Sequence, residues 1–348
     1  MITIVLLAGG ILVVAALLLI FRILTLLDVA KGKERVDSAN KTNAVLFVVF
    51  LVVGFTALFI YSKMASAYFL PKAASEHGVI TDQLFWITIT IIMVVFVITH
   101  ILLFYFSYKY QHKDGNKAHF YPHNNKLELI WTVVPAIVLA VLVISGWRAW
   151  SKITSKPPVN AEEVEIMGYQ FAWKVRYPGR DKMLGKYDFR LIDATNEWGM
   201  DLSDQNSFDD FTPSDKILRI PKGQPVLFKI RSKDVIHSVF APHFRLKMDA
   251  VPGMPTRFWF IPTKTTQEMR EELGNPQFNY EIACAEVCGK GHFSMRMIVV
   301  VEELEDYKKW FVSQPSWFSK NPSYLDKVPD NLKDMAKMML LSDTTVSK

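Results

Sequence analysis

The first half of this 348-residue chain carries four apolar runs, spanning roughly residues 2–20, 44–60, 85–106 and 129–147. A helix needs about 20 apolar residues to cross a hydrocarbon core about 30 Å thick, and each run reaches or nears that length. The second, at about 17 residues, is the shortest. One such run alone also suits a buried core helix. Four in one half of a chain, in a protein that is 50% hydrophobic, read as membrane spans.

The loops set the orientation. Arg22, Lys31, Lys33, Arg35 and Lys41 cluster between the first and second runs, and Lys109, Lys113, Lys117 and Lys126 between the third and fourth. The loop between the second and third runs has only Lys63 and Lys72. The positive-inside rule makes the two Lys-rich loops cytoplasmic, so the N-terminus, the 63–84 loop and everything after Trp150 lie outside. The first run has no basic residues ahead of it, is long, and is followed by basic residues. It reads as a retained helix rather than a cleaved signal peptide, and the absence of a nearby cysteine argues against a lipoprotein anchor. The net charge of +6 sits in these loops, not in a Lys/Arg stripe interleaved with aromatics, so nucleic acid is not an expected partner.

After Trp150 the pattern turns to short β-like runs, at 164–169, 171–177, 217–220, 226–231, 235–240, 256–261, 278–284 and 296–301, punctuated by turns such as Tyr177-Pro178-Gly179 and Pro252-Gly253. Strands at this spacing predict a β-sandwich or barrel. The polar stretch 180–212 reads as loop, residues 302–312 as helix, and Pro315, Pro322 and Pro329 as breaks in a tail. The expected organisation is two N-terminal membrane helices in 1–62, a membrane hairpin in 84–150, a β domain in 160–301, and a helix with tail in 302–348. His100 lies midway along the third run, where an ionisable group is a functional candidate by default. A neutral His bonded to a neighbouring helix is the expectation.

Two cysteines four apart cannot form a multi-bridge framework and read as a metal or redox pair. They fall in Cys284-Ala-Glu286-Val-Cys288-Gly-Lys-Gly-His292-Phe-Ser-Met295, with His237 some fifty residues earlier. Thiolate and imidazole suit copper or zinc, and a thioether suits copper better. A Cys₂His₂ zinc site and a Cys284–Cys288 disulfide stay open on the spacing alone. Met295, the β context and the exterior position weigh toward copper. Two bridging thiolates, two histidines, a methionine and a carbonyl would saturate two copper ions, leaving no open position for substrate, as electron transfer requires.

These residues carry a resemblance. Cys-x-Glu-x-Cys-Gly-x-x-His-x-x-Met after a His-Ser strand resembles subunit II of cytochrome c oxidase, over about residues 85–301. The resemblance implies two of the four membrane helices, those of the third and fourth runs, followed by an all-β cupredoxin domain of Greek-key form. It also implies an electron-accepting role through a dinuclear copper centre called CuA. It makes His237, Cys284, Cys288, His292 and Met295 the side-chain ligands, with Glu286 giving its backbone carbonyl to copper and its side chain to a shared magnesium ion. Lys247-Met248-Asp249-Ala250-Val251-Pro252-Gly253 resembles the segment packed against the catalytic subunit, which places Asp249 at that border. Leu127-Glu128-Leu129-Ile130-Trp131 resembles the start of the family's second membrane helix, where Glu128 would mark the cytoplasmic mouth of a proton pathway. An ordinary helix-terminal acid favoured by the macrodipole is the alternative for Glu128. His243 matches no ligand position and reads as a surface or packing residue.

The chain also departs from that pattern. Gly168-Tyr169-Gln170-Phe171-Ala172-Trp173 matches the family's aromatic strand, but Phe171 stands where the electron-receiving Trp is usual, while Trp173 is kept. Arg176 replaces a docking acid, and Met254 replaces the usual Arg after Pro-Gly. Residues 2–60 are an addition similar to subunit II of the Bacteroidetes branch. No Cys-x-x-Cys-His motif occurs, so no covalent haem is expected in this chain. The implied partners are oxidase subunits I and III, in the inner membrane of a bacterium. The expected donor is a cytochrome c, tethered or neighbouring rather than freely diffusing and basic, within a respiratory supercomplex.

Overall fold

The computed structural model describes residues 2–31, 36–113 and 115–346. Lys33 and Arg35, two of the charges that orient the first loop, lie outside them. Two compact units emerge, Met1–Leu70 with Thr88–Val134 and Pro71–Ile87 with Pro135–Lys348.

The first unit holds α1 (Ile2–Ala30), α2 (Val36–Ala65), most of α3 (Glu76–Lys109) and the start of α4 (Asn125–Thr154). All four helices are long and apolar enough to cross a membrane. Each extends past its apolar run, because the flanking polar residues are helical too. The second span is therefore no weaker than the rest: α2 has 30 residues. Phe55 of α2 packs beside Phe96 and His100 of α3, at centroid distances of 5.9 and 6.4 Å. Among the described residues His100 bonds no neighbouring helix, contrary to expectation. Its Nδ1 lies 2.8 Å from the Phe96 carbonyl of its own helix, the nearest acceptor in an apolar setting.

The second unit is a two-sheet β domain. Its strands are β1 (Glu162–Tyr169), β2 (Ala172–Arg176), β3 (Leu218–Pro221), β4 (Val226–Ser232), β5 (His237–Ala241), β6 (Leu246–Ala250), β7 (Thr256–Phe260), β8 (Tyr280–Cys284) and β9 (Arg296–Glu302). One sheet runs β2-β1-β4-β7 and the other β3-β9-β8-β5-β6. The β1–β4 and β3–β9 pairs are parallel and the others antiparallel. Alternate residues point inward, and Val164, Ile166, Phe228 and Ile230 meet Val239, Ile282 and Val299 in the shared core. This is the expected cupredoxin-like arrangement.

Some elements differ from the sequence reading. Phe171 lies in the β1–β2 turn, outside the strand expected at 171–177. β6 is an additional strand, in which Lys247 and Asp249 alternate with Leu246, Met248 and Ala250. Thr265 and Glu268 form a reciprocal capping box that starts α5 (Thr266–Leu273). α6 (Leu304–Val312) falls where a helix is expected. Beyond it the chain is not a broken tail: α7 (Trp317–Lys320) and α8 (Lys333–Val346) fold back on the 180–212 excursion. Trp198, Met200 and Phe208 from the excursion join Trp317, Phe318 and Tyr324 in a second core. The Trp317 N–H donates to the Asp210 carbonyl at 2.7 Å. The prolines punctuate this packing because aromatic residues between them supply enough apolar surface to bury.

Candidate metal centre

β5 and β8 are antiparallel neighbours, with Val239 opposite Cys284. That pairing brings His237, at the start of β5, to the end of β8, where Cys284 opens the loop to β9. The loop then turns back through Gly289 and Gly291, so one short segment presents Cys288, His292 and Met295 to the same point.

The donor atoms form a chain. Cys284 Sγ lies 3.9 Å from His237 Nδ1 and 3.9 Å from Cys288 Sγ. Cys288 Sγ lies 3.7 Å from His292 Nδ1 and 3.9 Å from Met295 Sδ. The Glu286 carbonyl sits 3.2 Å from Cys284 Sγ. Both cysteines are free, far beyond the roughly 2.05 Å of a disulfide bond. His237, Cys284 and Cys288 stand close enough together to hold a metal ion. His292 lies outside that close group and meets it at Cys288. A single tetrahedral ion would need all four donors around one point. The donors instead form an elongated set with the two sulfurs at its middle.

The supporting residues are specific. Asp234 accepts from His237 Nε2 at 2.9 Å and from the Gln170 N–H at 2.7 Å. A proton held on Nε2 leaves the Nδ1 lone pair facing the sulfurs. Burial works against the Asp234 charge, but the bonds from Gln170 and His237 hold its carboxyl below the usual range. Burial, then the neighbouring Cys284 thiol, pushes the Cys288 thiol up to about 11. Two thiols in this place give up their protons when a cation arrives.

The glycines set how closely aromatic rings approach. A Cβ on Gly291 would fall 2.5 Å from Phe171 Cγ, and one on Gly289 would fall 2.9 Å from Phe171 Cε1. Phe171 therefore lies directly against the ligand loop, 37% exposed. A Cβ on Gly168 would fall 2.9 Å from both the His237 and Trp173 rings. Those two rings meet edge-on, with centroids 5.9 Å apart. The sequence reading misses Gly168, Gln170 and Asp234, although Asp-x-x-His is a legible signal for an oriented histidine.

Of the other expected site residues, Asp249 accepts from Ser238 Oγ at 2.7 Å, and that bond lowers its pKa. The exposed Glu286 side chain has no partner among the described residues. Glu128 sits in the first turn of α4, where its carboxylate lies 3.4 Å from the Asn124 N–H. His243 packs beside Phe278 and Tyr280.

Arg176 requires a correction. It is 1% exposed and cannot present charge to a docking protein. It donates to Glu165 at 2.6 Å, to Asp210 at 2.9 Å and to the Gly185 carbonyl at 3.1 Å. Arg231 completes the cluster on the other Glu165 oxygen at 2.7 Å.

Residues 62–149 match the family described as cytochrome c oxidase subunit II, transmembrane domain, and residues 163–303 that described as cytochrome c oxidase subunit II, periplasmic domain. The chain belongs to the cytochrome c oxidase subunit II family. It is thus a subunit of an oxidase, a membrane protein with a periplasmic domain. The alternative cytochrome c oxidase subunit 2 of Bradyrhizobium diazoefficiens is 35% identical over 276 residues, covering 78% of this chain and 92% of that one. Cytochrome c oxidase subunit 2 of Thermostichus vulcanus is 26% identical, over 69% of this chain and 77% of the relative. The probable cytochrome c oxidase subunit 2 of Rickettsia prowazekii is 29% identical, and the match spans about half of it, 54%, and 55% of this chain. Among solved structures, the periplasmic domain of subunit II of cytochrome oxidase of Bradyrhizobium japonicum is similar. It has a TM-score of 0.29 and 21% identity, covering 44% of this chain and 93% of that one.

Proposed function

We propose that this subunit II accepts electrons from cytochrome c at a dinuclear copper centre. It passes them to the haem of catalytic subunit I, where oxygen is reduced to water and protons are pumped. The observation that carries this reading is the pair of unbonded sulfurs, 3.9 Å apart, each with its own histidine Nδ1 at 3.7–3.9 Å. His237, Cys284, Cys288, His292 and Met295 would hold the ions with their side chains, and Glu286 with its carbonyl. Copper bound there would supply a one-electron store.

The protein's own residues fix the geometry in which that store works. Asp234 keeps the His237 tautomer constant. Gln170 donates through Nε2 to the Cys288 carbonyl at 2.7 Å and ties the ligand loop to the β1–β2 turn. Burial of His237, Cys288 and Met295 excludes water. A site so constrained changes little between redox states. A quinol oxidase subunit of the same fold would lack these ligands, and all five side chains are present.

Phe171 and Trp173 are the aromatic residues next to the ligands and would receive the electron. The Glu286 side chain is free to reach a magnesium ion shared with subunit I. Asp249 would face that subunit, and subunit III would complete the complex in the inner membrane. Residues 1–62 would form the added helices, 84–150 the membrane hairpin, 160–301 the copper domain and 302–348 its C-terminal extension.

Copper loading of the purified protein tests the reading. The expected product holds two copper ions, is purple and gives a multi-line mixed-valence EPR signal. A colourless zinc-loaded protein would refute it. Glu128→Gln should slow proton uptake by the assembled oxidase and leave the copper spectrum unchanged. A changed spectrum would make Glu128 a folding residue, in line with its place at the start of α4.

A further inference from the structure

The turn between β5 and β6 holds one residue in a costly conformation. Arg245 has φ at 52°, a left-handed backbone that penalises any residue with a Cβ and that glycine adopts freely. Such an outlier persists only where its surroundings over-determine it, and here the side chain does so. Nε and one terminal nitrogen of Arg245 donate to the two carboxylate oxygens of Asp82, at 2.6 and 2.9 Å. The same terminal nitrogen donates to the Pro71 carbonyl at 2.6 Å, and the other donates to the Pro242 carbonyl. A two-pronged Arg–carboxylate pair is stronger and more directional than a single charged contact. The arginine side chain is only 9% exposed.

The pair joins the β domain to the head of a membrane helix. Asp82 lies near the start of α3, just ahead of the apolar run at 85–106. The residues before it are bonded to the same β domain. The Ala74 N–H donates to the His243 carbonyl at 2.7 Å, Ser75 Oγ to the Phe244 carbonyl at 2.8 Å, and the Glu76 N–H to the Ile261 carbonyl at 3.1 Å. A Cβ on Gly78 would fall 3.3 Å from Arg245 Cγ, so α3 rests on the stem of the arginine. From this latch the β5–β6 hairpin runs to the metal centre. Ala241 faces Leu246 beside the latch, and the metal-site residue His237 faces Ala250 at the other end. The four strand rises between them, about 3.4 Å each, cover about 14 Å. The β5–β8 pairing at Val239 and Cys284 braces the hairpin along the way.

We propose that Arg245 is a positioning residue for electron transfer out of this subunit: its ion pair with Asp82 clamps the β5–β6 hairpin to α3 and holds the metal ligands at a fixed distance from the haem of subunit I. The inference rests on the reading of the site as a copper electron-transfer centre and adds the element that sets its reach. One electron leaves the centre and one arrives at the haem, and no bond forms or breaks. Arg245 acts through the hairpin rather than on the ligands. Were its task only to close the turn, glycine would fill the left-handed position at lower cost.

The test compares purified oxidase containing the full-length chain with Arg245→Gly, which removes the latch and the backbone cost together. Asp82→Arg is made alone and combined with Arg245→Asp. Hydrogen exchange read by mass spectrometry reports on the latch and needs no copper. In Arg245→Gly the amides of residues 72–82 should exchange about tenfold faster or more, while those of β8 and the loop after it keep the parent rate. Flash-initiated electron transfer from the centre to the haem should slow by about threefold or more, because transfer is sensitive to small displacements. The copper spectrum and the KM for cytochrome c should stay unchanged. The reversed pair should regain most of the protection that Asp82→Arg alone loses. Parent-like exchange in Arg245→Gly, or no recovery in the reversed pair, would overturn the latch. Faster exchange with unchanged electron transfer would overturn the positioning role and leave the copper reading intact. A parent oxidase without copper would overturn that role together with the copper reading, and the exchange data would still decide the latch.

Discussion

The β1–β2 hairpin carries two polar sites of opposite character at its two ends. In its register Gly168 faces Trp173 at the metal end, and Glu165 faces Arg176 three residues further along. At the Glu165 end the groups bond one another, with contacts of 2.6–2.9 Å among Glu165, Arg176, Asp210 and Arg231. At the metal end, sulfur and nitrogen atoms stand 3.7–3.9 Å apart, the long, weak end of hydrogen bonding to sulfur. Buried polar groups that complete their own network hold a fold together, whereas buried donors gathered without completing one await a ligand.

The contrast breaks most sharply at the sulfurs. Cys288→Ser should abolish the purple colour and mixed-valence EPR signal expected of the proposed copper centre, because Cys288 lies between Cys284 on one side and His292 and Met295 on the other. The thermal unfolding of the metal-free protein should stay within a few degrees of the parent. A large loss of metal-free stability would mean that the metal end also carries structural weight.

The opposite behaviour is expected at the other end. Arg176→Met removes one of the two cations on Glu165 and strands that carboxylate in the core. Breaking a buried pair in this way costs about 3–5 kcal/mol. Chemical denaturation should show the loss, while whatever remains folded still takes up copper with the parent spectrum. A changed spectrum would merge the two ends into one functional unit.

Gly168→Ala probes the boundary between them. The new methyl group would fall 2.9 Å from the rings of both Trp173 and His237. Overpacking of this kind costs about 1–3 kcal/mol, less than stranding a charge. Because His237 must move, the copper spectrum should shift as well. A destabilised protein with an unshifted spectrum would show that Trp173 alone gives way.

Legibility followed the same division. The four spans and the strand pattern were visible because apolar periodicity is local, and the ligand motif because five donors lie at fixed offsets. The ionic cluster was not visible: Glu165, Arg176, Asp210 and Arg231 come from separate elements, and only the fold brings them together. Arg176 accordingly looked like a surface charge. The folded C-terminal region was hidden for a related reason. Three prolines signal a broken tail, but Trp317, Phe318 and Tyr324 find a surface to bury against only once the 180–212 excursion has folded. Phe171 sits in a turn because the hairpin reverses at Gln170, which alternation of aromatics does not reveal.

A pH-dependent effect concerns the one member of the ionic cluster that is not fully satisfied. Asp210 Oδ2 accepts from Arg176 and from the Gly185 N–H, but its buried Oδ1 has no partner among the described residues. Burial, against the pull of Arg176, raises its pKa from 3.8 to about 8. Between those values the folded protein keeps a proton that the unfolded chain has released. Unfolding there sheds a proton, so rising pH favours it. The Asp210 contribution to stability should therefore fall from about pH 4 to about pH 8 and level off above, by at most about 1.4 kcal/mol per pH unit. Asp210→Asn removes the titration, keeps an acceptor for Arg176, and should flatten the stability profile across that window. An unchanged slope would mean that Asp210 stays ionised throughout and that Arg176 is shared equally between two carboxylates.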